Sequence, residues 1–362
     1  MSDQHIDIPG GWLVSPSIAM ELDAMLAMIS GRFSLGTLPA HLLPLVEQTP
    51  AEWLAELPAL LGDLKGPFGL LTHMADWVGV LESGEYGGAT LAMRQASAEE
   101  VFSRLGGEAG ESLADLQVRR VLQAELAAGL EPESVEARRI VYHQEAAQAA
   151  RLLAGGDLAA PFWHWLDRFY YQVYQPWRET RLAFMQEQER NALAVLGERE
   201  SAAHTPRLDW LPAQNPLVNR PALNESARLG RLRVIFWVEP FGIADLWAIL
   251  PGRLLAAIAE PGVFLQNFYT FAEDVAARAQ ALADPTRLVI LRMIRHFGMT
   301  NTEIASYLGI SRPTVSVHAK ILRGAGLIET SEVGRAVQHT IKPAALRQLF
   351  TDLQRFLDLP EG

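Results

Sequence analysis

Apolar and polar positions follow a helical period along most of the chain. Residues 17–29 carry apolar side chains at helical spacing, and the short apolar run at 11–14 before them fits a strand. Thr49-Pro50-Ala51-Glu52 has the chemistry of a helix start: a hydroxyl able to cap free amides, a proline suited to the first turn and a carboxylate able to reach back. Ser97-Ala98-Glu99-Glu100 repeats that logic. Glycine pairs at Gly87-Gly88, Gly106-Gly107 and Gly155-Gly156 separate further helices, one of them over 133–154. Pro161 opens a long helical stretch running to Leu196, in which Phe162, Leu166, Phe169 and Val173 keep one face apolar. Pro176 predicts a kink or a division within it. Residues 197–226 hold Pro206, Pro212, Pro216 and Pro221 among polar side chains and read as a linker. The β-branched and aromatic run at 231–238 then reads as a strand.

From Ala272 the pattern becomes denser. A short helix over 272–283 is followed by a second, opened by Pro285 and ended by Gly298, with Leu288, Leu291 and Ile294 on one face. Thr300-Asn301-Thr302-Glu303 is a capping box at the head of a third helix, which Gly309 ends. Ser311 caps a fourth helix with Pro313 in its first turn. Val315, Ala319 and Leu322 turn inward, leaving Ser311, Arg312, Thr314, Ser316, His318, Lys320 and Arg323 outward. After Gly326, two apolar-alternating runs around 331–335 predict a hairpin with Arg335 at its tip, and residues 343–357 close the module as a helix.

That outward set suits a duplex. Short hydroxyls meet phosphates or base edges without holding a helix out of the groove, Arg312 can pair with guanine, and the long cations reach backbone oxygens. Arg335 can reach a neighbouring minor groove or phosphate. A helix-turn-helix used only for protein contacts is the competing reading of the same residues. His318 and His339 are either pH-sensitive or ordinary hydrogen-bonded surface histidines.

Three segments in order, LADPTRLVIL (282–291), TEIASYLGISRPTVSVHAKILRGAGLI (302–328) and GRAVQHTI (334–341), resemble the ArsR/SmtB family of winged-helix regulators. The resemblance covers nearly all of 272–357, a quarter of the chain. It implies that 311–323 is the recognition helix, that Pro313 belongs to its DNA-facing start, and that Arg335 sits on the wing. It also implies that the first and last helices of the module, 272–283 and 343–357, form a homodimer interface. A two-fold dimer would offer two recognition helices about 34 Å apart to an inverted repeat in double-stranded DNA. The positions matching the family's metal-binding cysteines hold Thr300 and Thr302, and the last helix has Asp352 without a histidine. No metal and no cofactor is therefore expected.

Composition changes the picture in two ways. The net charge is -11, yet of the chain's 31 Lys and Arg and 42 Asp and Glu, 11 and 9 fall after residue 271. A mildly basic module thus follows an acidic body, and all nine tryptophans lie in the body. The two expected regions are 1–271, for sensing and dimerisation, and 272–362, for DNA binding. There is no cysteine, which excludes disulfides, thiolate metal sites and a thiol nucleophile. The richest apolar run, at 246–265, is cut by Pro251, Arg253, Glu260 and Pro261 and falls short of the ~18 residues of a membrane helix. With no basic and apolar leader at the start, a cytoplasmic location and no membrane partner are expected.

The aromatic segment at 162–177 surrounds its helix rather than forming a stripe, so it is buried on several sides. It is either plain core or a pocket for an apolar or planar effector, lined by Trp163, Trp165, Tyr170, Tyr174 and Trp177 with His164, Asp167 and Arg168 as polar anchors. The other histidines are scattered without metal-ligand spacing, and no nucleophile elbow, phosphate loop or dinucleotide fingerprint occurs. The expectation is a mainly α protein: a large helical N-terminal region with minor β content and a C-terminal winged helix-turn-helix. It would act as a transcriptional regulator, a repressor by resemblance, and not as an enzyme. The alternative is a small-molecule-binding protein or enzyme carrying an auxiliary winged helix.

Overall fold

The computed structural model describes residues 6–8, 12–31, 38–62, 64, 69–200, 221–229, 231–243, 246–257, 263–333 and 336–356. The protein is mainly helical and divides into two compact units, one built on residues 1–32 and 39–264 and the other on residues 33–38 and 265–362.

In the first unit β1 (Ile6–Ile8) and β2 (Trp12–Ser15) lead into α1 (Ile18–Ile29). The chain then passes through α2 (Leu43–Glu47), α3 (Ala51–Leu61), α4 (Leu70–Val78), α5 (Tyr86–Gln95), α6 (Ala98–Arg104), α7 (Leu113–Ala127) and α8 (Pro132–Leu153). Next come α9 (Ala159–Phe169), α10 (Gln175–Thr180), α11 (Leu182–Glu200) and α12 (Pro221–Arg228), before β3 (Arg233–Trp237), β4 (Trp247–Leu250) and β5 (Arg253–Ala257) complete the unit.

The five strands form one mixed sheet in the order β1-β2-β3-β5-β4, with β2, β3 and β5 parallel and the two edge strands antiparallel. One face, carrying Val14, Val234, Phe236, Leu254 and Ala256, packs on Val118 and Leu122 of α7, Met185 of α11 and Leu223 and Ala227 of α12. The alternate residues Leu13, Ile235, Trp237, Leu255 and Ala257 are buried as well. Burial on both faces is what a parallel centre requires, and it explains why β3 is written as an unbroken apolar run. The apolar stretch at 246–265 contributes β4 and β5, joined through Pro251 and Gly252, whose φ of 74° a residue with a side chain rarely adopts.

Three local expectations need correction. Thr49 does not cap α3: its hydroxyl donates to the Leu45 carbonyl at 2.5 Å, and Pro50 holds the N-cap position without a side-chain bond. The break expected at Pro176 is preceded by a π-helical turn, Tyr170–Tyr174, which joins α9 to α10. The missing amide of Pro176 is absorbed in this widened turn, and the chain divides only at Arg181. Both ends of the expected linker are helical. Residues 197–200 finish α11, and Pro221 opens α12, which is held by Leu223 and Ala227 in the sheet core; residues 201–220 lie outside the described residues. A fourth expectation departs as well: Gly87-Gly88 does not separate helices but lies in the first turn of α5, where the Glu85 carboxylate accepts from both glycine amides. Ser97 caps α6 as expected, and Phe162, Leu166, Phe169 and Val173 are all buried.

The second unit comprises α13 (Val263–Leu282), α14 (Pro285–Phe297), α15 (Asn301–Leu308), α16 (Arg312–Gly324), the antiparallel pair β6 (Ile328–Val333) and β7 (Ala336–Ile341), and α17 (Pro343–Phe356). Helix α13 starts at Val263, not at Ala272, and its Phe271 and Val275 pack with Leu349 of α17. The principal core is formed by Ile290 and Ile294 of α14, Ile304 of α15, Val315, Ala319 and Leu322 of α16, and Leu327 and Ile328 at the start of the hairpin.

Candidate nucleic-acid interface

Helices α14, α15 and α16 are each started by a side chain that the sequence places just before the first turn. Asp284 accepts from the Arg287 amide at 2.9 Å, and Arg287 sends its guanidinium back to the carbonyls of Ala281 and Gln280, closing the end of α13. One four-residue segment thus terminates one helix and begins the next. Accepting the Arg287 amide also holds the Asp284 carboxyl below its usual range. Thr300 and Glu303 form the expected capping box, with the Glu303 carboxylate accepting from the Thr300 amide and hydroxyl at 2.8 Å each. Gly309, at φ 65°, ends α15 in the left-handed conformation. Ser311 then caps α16 through the Thr314 amide, and its hydroxyl lies 2.7 Å from that of Thr314.

These caps fix the rotation of α16. Val315, Ala319 and Leu322 are buried, while Ser311, Arg312, Pro313, Thr314, Ser316, Lys320 and Arg323 are exposed and His318 is half-buried. Between Glu303 and Glu329 the chain has no acidic residue, and Arg312, Lys320 and Arg323 stand exposed on α16. Two apolar side chains that sequence reading passed over, Val317 and Ile321, also lie on this helix, 58% and 40% exposed.

A buried polar chain ties α16 to the hairpin. The Asn301 amide donates to the Ser316 hydroxyl at 3.4 Å, and the Asn301 carbonyl oxygen lies 3.0 Å from Nε2 of His339. Nδ1 of His339 lies 2.9 Å from the Thr330 hydroxyl, which Arg323 approaches at 3.5 Å. Because the Asn301 oxygen only accepts, Nε2 of His339 carries the proton and Nδ1 accepts from Thr330. Burial, with the Arg323 charge second, holds His339 below the ordinary histidine value and therefore neutral. His339 is thus a buried connector rather than the surface histidine expected from sequence. The signal was present: strand alternation puts residue 339 in phase with Val337 and Ile341, and a histidine on an inward face needs partners. Arg335, at the hairpin tip, lies outside the described residues.

At the far side of the module, Arg278 of α13 pairs with Asp274 at 2.5 Å and with Asp352 of α17 at 2.9 Å. Asp352 also accepts from Gln348 at 2.7 Å. Tyr269, Phe350 and Leu353 are exposed on the same two helices.

In the first unit, five of the eight residues named for an effector are buried, Asp167 and Arg168 are half-buried and only His164 is exposed. Trp165 donates to the Trp53 carbonyl at 3.0 Å, Trp177 to the His41 carbonyl at 2.9 Å, and Tyr174 to Glu21 at 2.7 Å. Glu21 is also gripped by Arg178, at 2.6 and 2.9 Å. Tyr170 stacks on Tyr86 at 3.6 Å between ring centres, and Arg94 lies 4.9 Å over the Trp163 ring while pairing with Asp167. These contacts bring Trp163 and Tyr170 near a polar edge and place Trp165, Tyr174 and Trp177 within the packing.

Residues 284–330 match the family described as "Bacterial regulatory protein, arsR family". The chain is 40% identical over 77 residues to the HTH-type transcriptional regulator Rv2034 of Mycobacterium tuberculosis, covering 21% of this chain and 72% of that protein. It is 32% identical over 81 residues to the HTH-type transcriptional regulator NmtR of the same organism, covering 22% and 68%. The transcriptional repressor SdpR of Bacillus subtilis is 29% identical over 79 residues, 22% of this chain and 88% of that protein. Among solved structures, an ArsR-like transcriptional regulator from Rhodococcus sp. RHA1 is 29% identical over 25% of this chain and 84% of its own, with a TM-score of 0.23. All of these similarities span about a quarter of the chain or less. The matched residues 284–330 and the 40% identity to Rv2034 over 72% of that protein coincide with the helix starts and the exposed basic helix, and the chain belongs, through this C-terminal module, to the arsR family of bacterial regulatory proteins.

Proposed function

We propose that this protein is a sequence-specific DNA-binding transcriptional regulator, a repressor, that acts as a homodimer on an inverted-repeat operator. The observation that carries the reading is the outward face of α16: hydroxyls at Ser311, Thr314 and Ser316 and cations at Arg312, Lys320 and Arg323, with no carboxylate from residue 304 to residue 328. A helix of this kind enters the major groove by its N-terminal half. Its free amides and Ser311 then meet a phosphate, Arg312 reads a guanine edge, and Lys320 and Arg323 hold the backbone. Pro313 shares the outward face, His318 belongs to the flank nearer Asp284, and Arg335 is assigned to the duplex by the family resemblance alone.

The homodimer rests on the apolar side chains Tyr269, Phe350 and Leu353, exposed beside the Phe271, Val275 and Leu349 cluster. A two-fold axis there separates the recognition helices by about one turn of DNA. In this reading the first unit senses, and the second, which begins with α13 rather than at residue 272, binds. A small apolar or planar effector meets the 162–177 segment beside the exposed His164, with Trp163 and Tyr170 behind it, because Trp165, Tyr174 and Trp177 already spend their polar atoms on protein. Differential affinity for two dimer states then shifts DNA occupancy.

The test is selection of duplexes from random DNA by the full chain, followed by titration of the selected site with Arg312→Ala, Lys320→Ala and the double variant. Arg312→Ala is expected to weaken binding and relax discrimination at one base pair, and Lys320→Ala to weaken all sequences alike with a shallower salt dependence. Unchanged affinity in the double variant rejects the assignment.

A further inference from the structure

On α16 the buried residues Val315, Ala319 and Leu322 define the inward direction, and the side chain turned farthest from it is neither a cation nor a hydroxyl. At 3.6 residues per turn, Val317 lies roughly 165° around the helix from their mean direction, with Pro313 one turn before it. Arg312 and Arg323 stand on one flank, within roughly 75° of the inward direction. Val317 is 58% exposed and Ile321, the next turn on, 40% exposed. An unsupported apolar knob at the crest of a basic helix needs an apolar counterpart in whatever that helix meets. In the major groove only one base supplies such a group: thymine, through its C5 methyl.

We propose that Val317 is a specificity-determining residue that reads thymine by methyl-to-methyl contact. This rests on the DNA-binding reading above and deepens it. The flanking cations argue for this occupant over an apolar protein surface. Arg312, Arg323 and Lys320, which stand together on one side of Val317, have no acidic neighbour on the helix and would be desolvated without compensation against an apolar partner, whereas a phosphate backbone runs along the edge of the groove. Val317 has no group that could donate or accept, so discrimination at its base pair depends on the methyl alone. Arg312 supplies hydrogen-bond readout elsewhere, and the two side chains therefore select different base pairs.

The experiment uses the full-length protein and the tightest duplex selected from a random pool, with each thymine replaced in turn by deoxyuridine, which removes only the methyl. One thymine per half-site is expected to be sensitive, its loss weakening binding about four-fold, the factor to which about 0.8 kcal/mol of buried methyl corresponds. At that position a 5-methylcytosine·guanine pair is expected to bind better than cytosine·guanine, because the same methyl returns to the groove. Val317→Ala is expected to abolish both differences while keeping affinity for the deoxyuridine duplex near wild type, and Val317→Thr to retain part of them. If no thymine is sensitive, or if Val317→Ala keeps the wild-type ratio, the assignment of Val317 is overturned while DNA binding stands. If the pool yields no bound duplex at all, both fall together.

Discussion

Val315 and Val317 lie two positions apart on one helix, and the same change at each should have opposite consequences. Val315 is fully buried in the core of the second unit with Ile290, Ile304 and Leu322, whereas Val317 stands in the open. Valine to alanine removes two methyl groups. At Val315 the lost transfer term is about 1.6 kcal/mol, and incomplete collapse of the surrounding side chains brings the cost to about 2–3 kcal/mol. At Val317 the cost is within about 0.5 kcal/mol. For a module of this size, about 2 kcal/mol lowers the midpoint of thermal unfolding by roughly 8–16 °C. Tryptophan fluorescence would miss this, because all nine tryptophans precede residue 272. Hydrogen exchange resolved to the amides of α14 and α16 reads it directly, and protection in Val315→Ala is expected to fall about thirty-fold, that in Val317→Ala to hold. Loss of protection in Val317→Ala with a neutral Val315→Ala would mean that α16 is rotated half a turn from the orientation described, and the proposed DNA-facing surface would fall with it.

The His339 connector gives a pH dependence with a defined sign. Its folded-state pKa lies below the ordinary 6.5, so the unfolded chain takes up the proton more readily. Stability of the second unit should therefore fall as pH drops through about 6.5 toward the lowered value and flatten beneath it. His339→Gln, which keeps one donor for Asn301 and one acceptor for Thr330, should show a smaller decline in acid urea titrations; an identical decline would remove His339 as its source. In the first unit, Arg178→Met leaves Glu21 buried without its cation and should cost about 3–5 kcal/mol, visible in tryptophan-detected unfolding, with Glu21→Gln added to it recovering much of the loss. Thr300→Ala removes the hydroxyl half of the capping box and should destabilise the second unit by about 1 kcal/mol in the same urea titrations, with no effect on the tryptophan-detected transition.

The C-terminal unit was legible because its information is local. Helix caps at Asp284, Thr300 and Ser311 lie within three residues of the amides they satisfy, and a 3.6-residue period assigns Val315, Ala319 and Leu322 to the interior without knowledge of their partners. The polar face of α16 followed by subtraction. Val317 and Ile321 escaped notice because reading a surface as polar or apolar by residue type hides an apolar side chain that is exposed on purpose. His339 was misplaced because its partners, Asn301 and Thr330, come from a different helix and the opposite strand.

In the first unit the helices were marked by their own punctuation, and the strand at 233–237 by its composition. What only the tertiary structure decided was the sheet. β2 and β3 pair although more than two hundred residues separate them, and β4 and β5 exist because β3 offers β5 an edge to pair with. The partners of Trp165, Tyr174 and Trp177 in the aromatic segment were decided in the same way, by Trp53, Glu21 and His41 arriving from elsewhere in the chain. Periodicity and caps are short-range and survive in a one-dimensional sequence. Strand pairing and the satisfaction of buried polar atoms depend on groups far apart along the chain, and these meet only when the chain has folded.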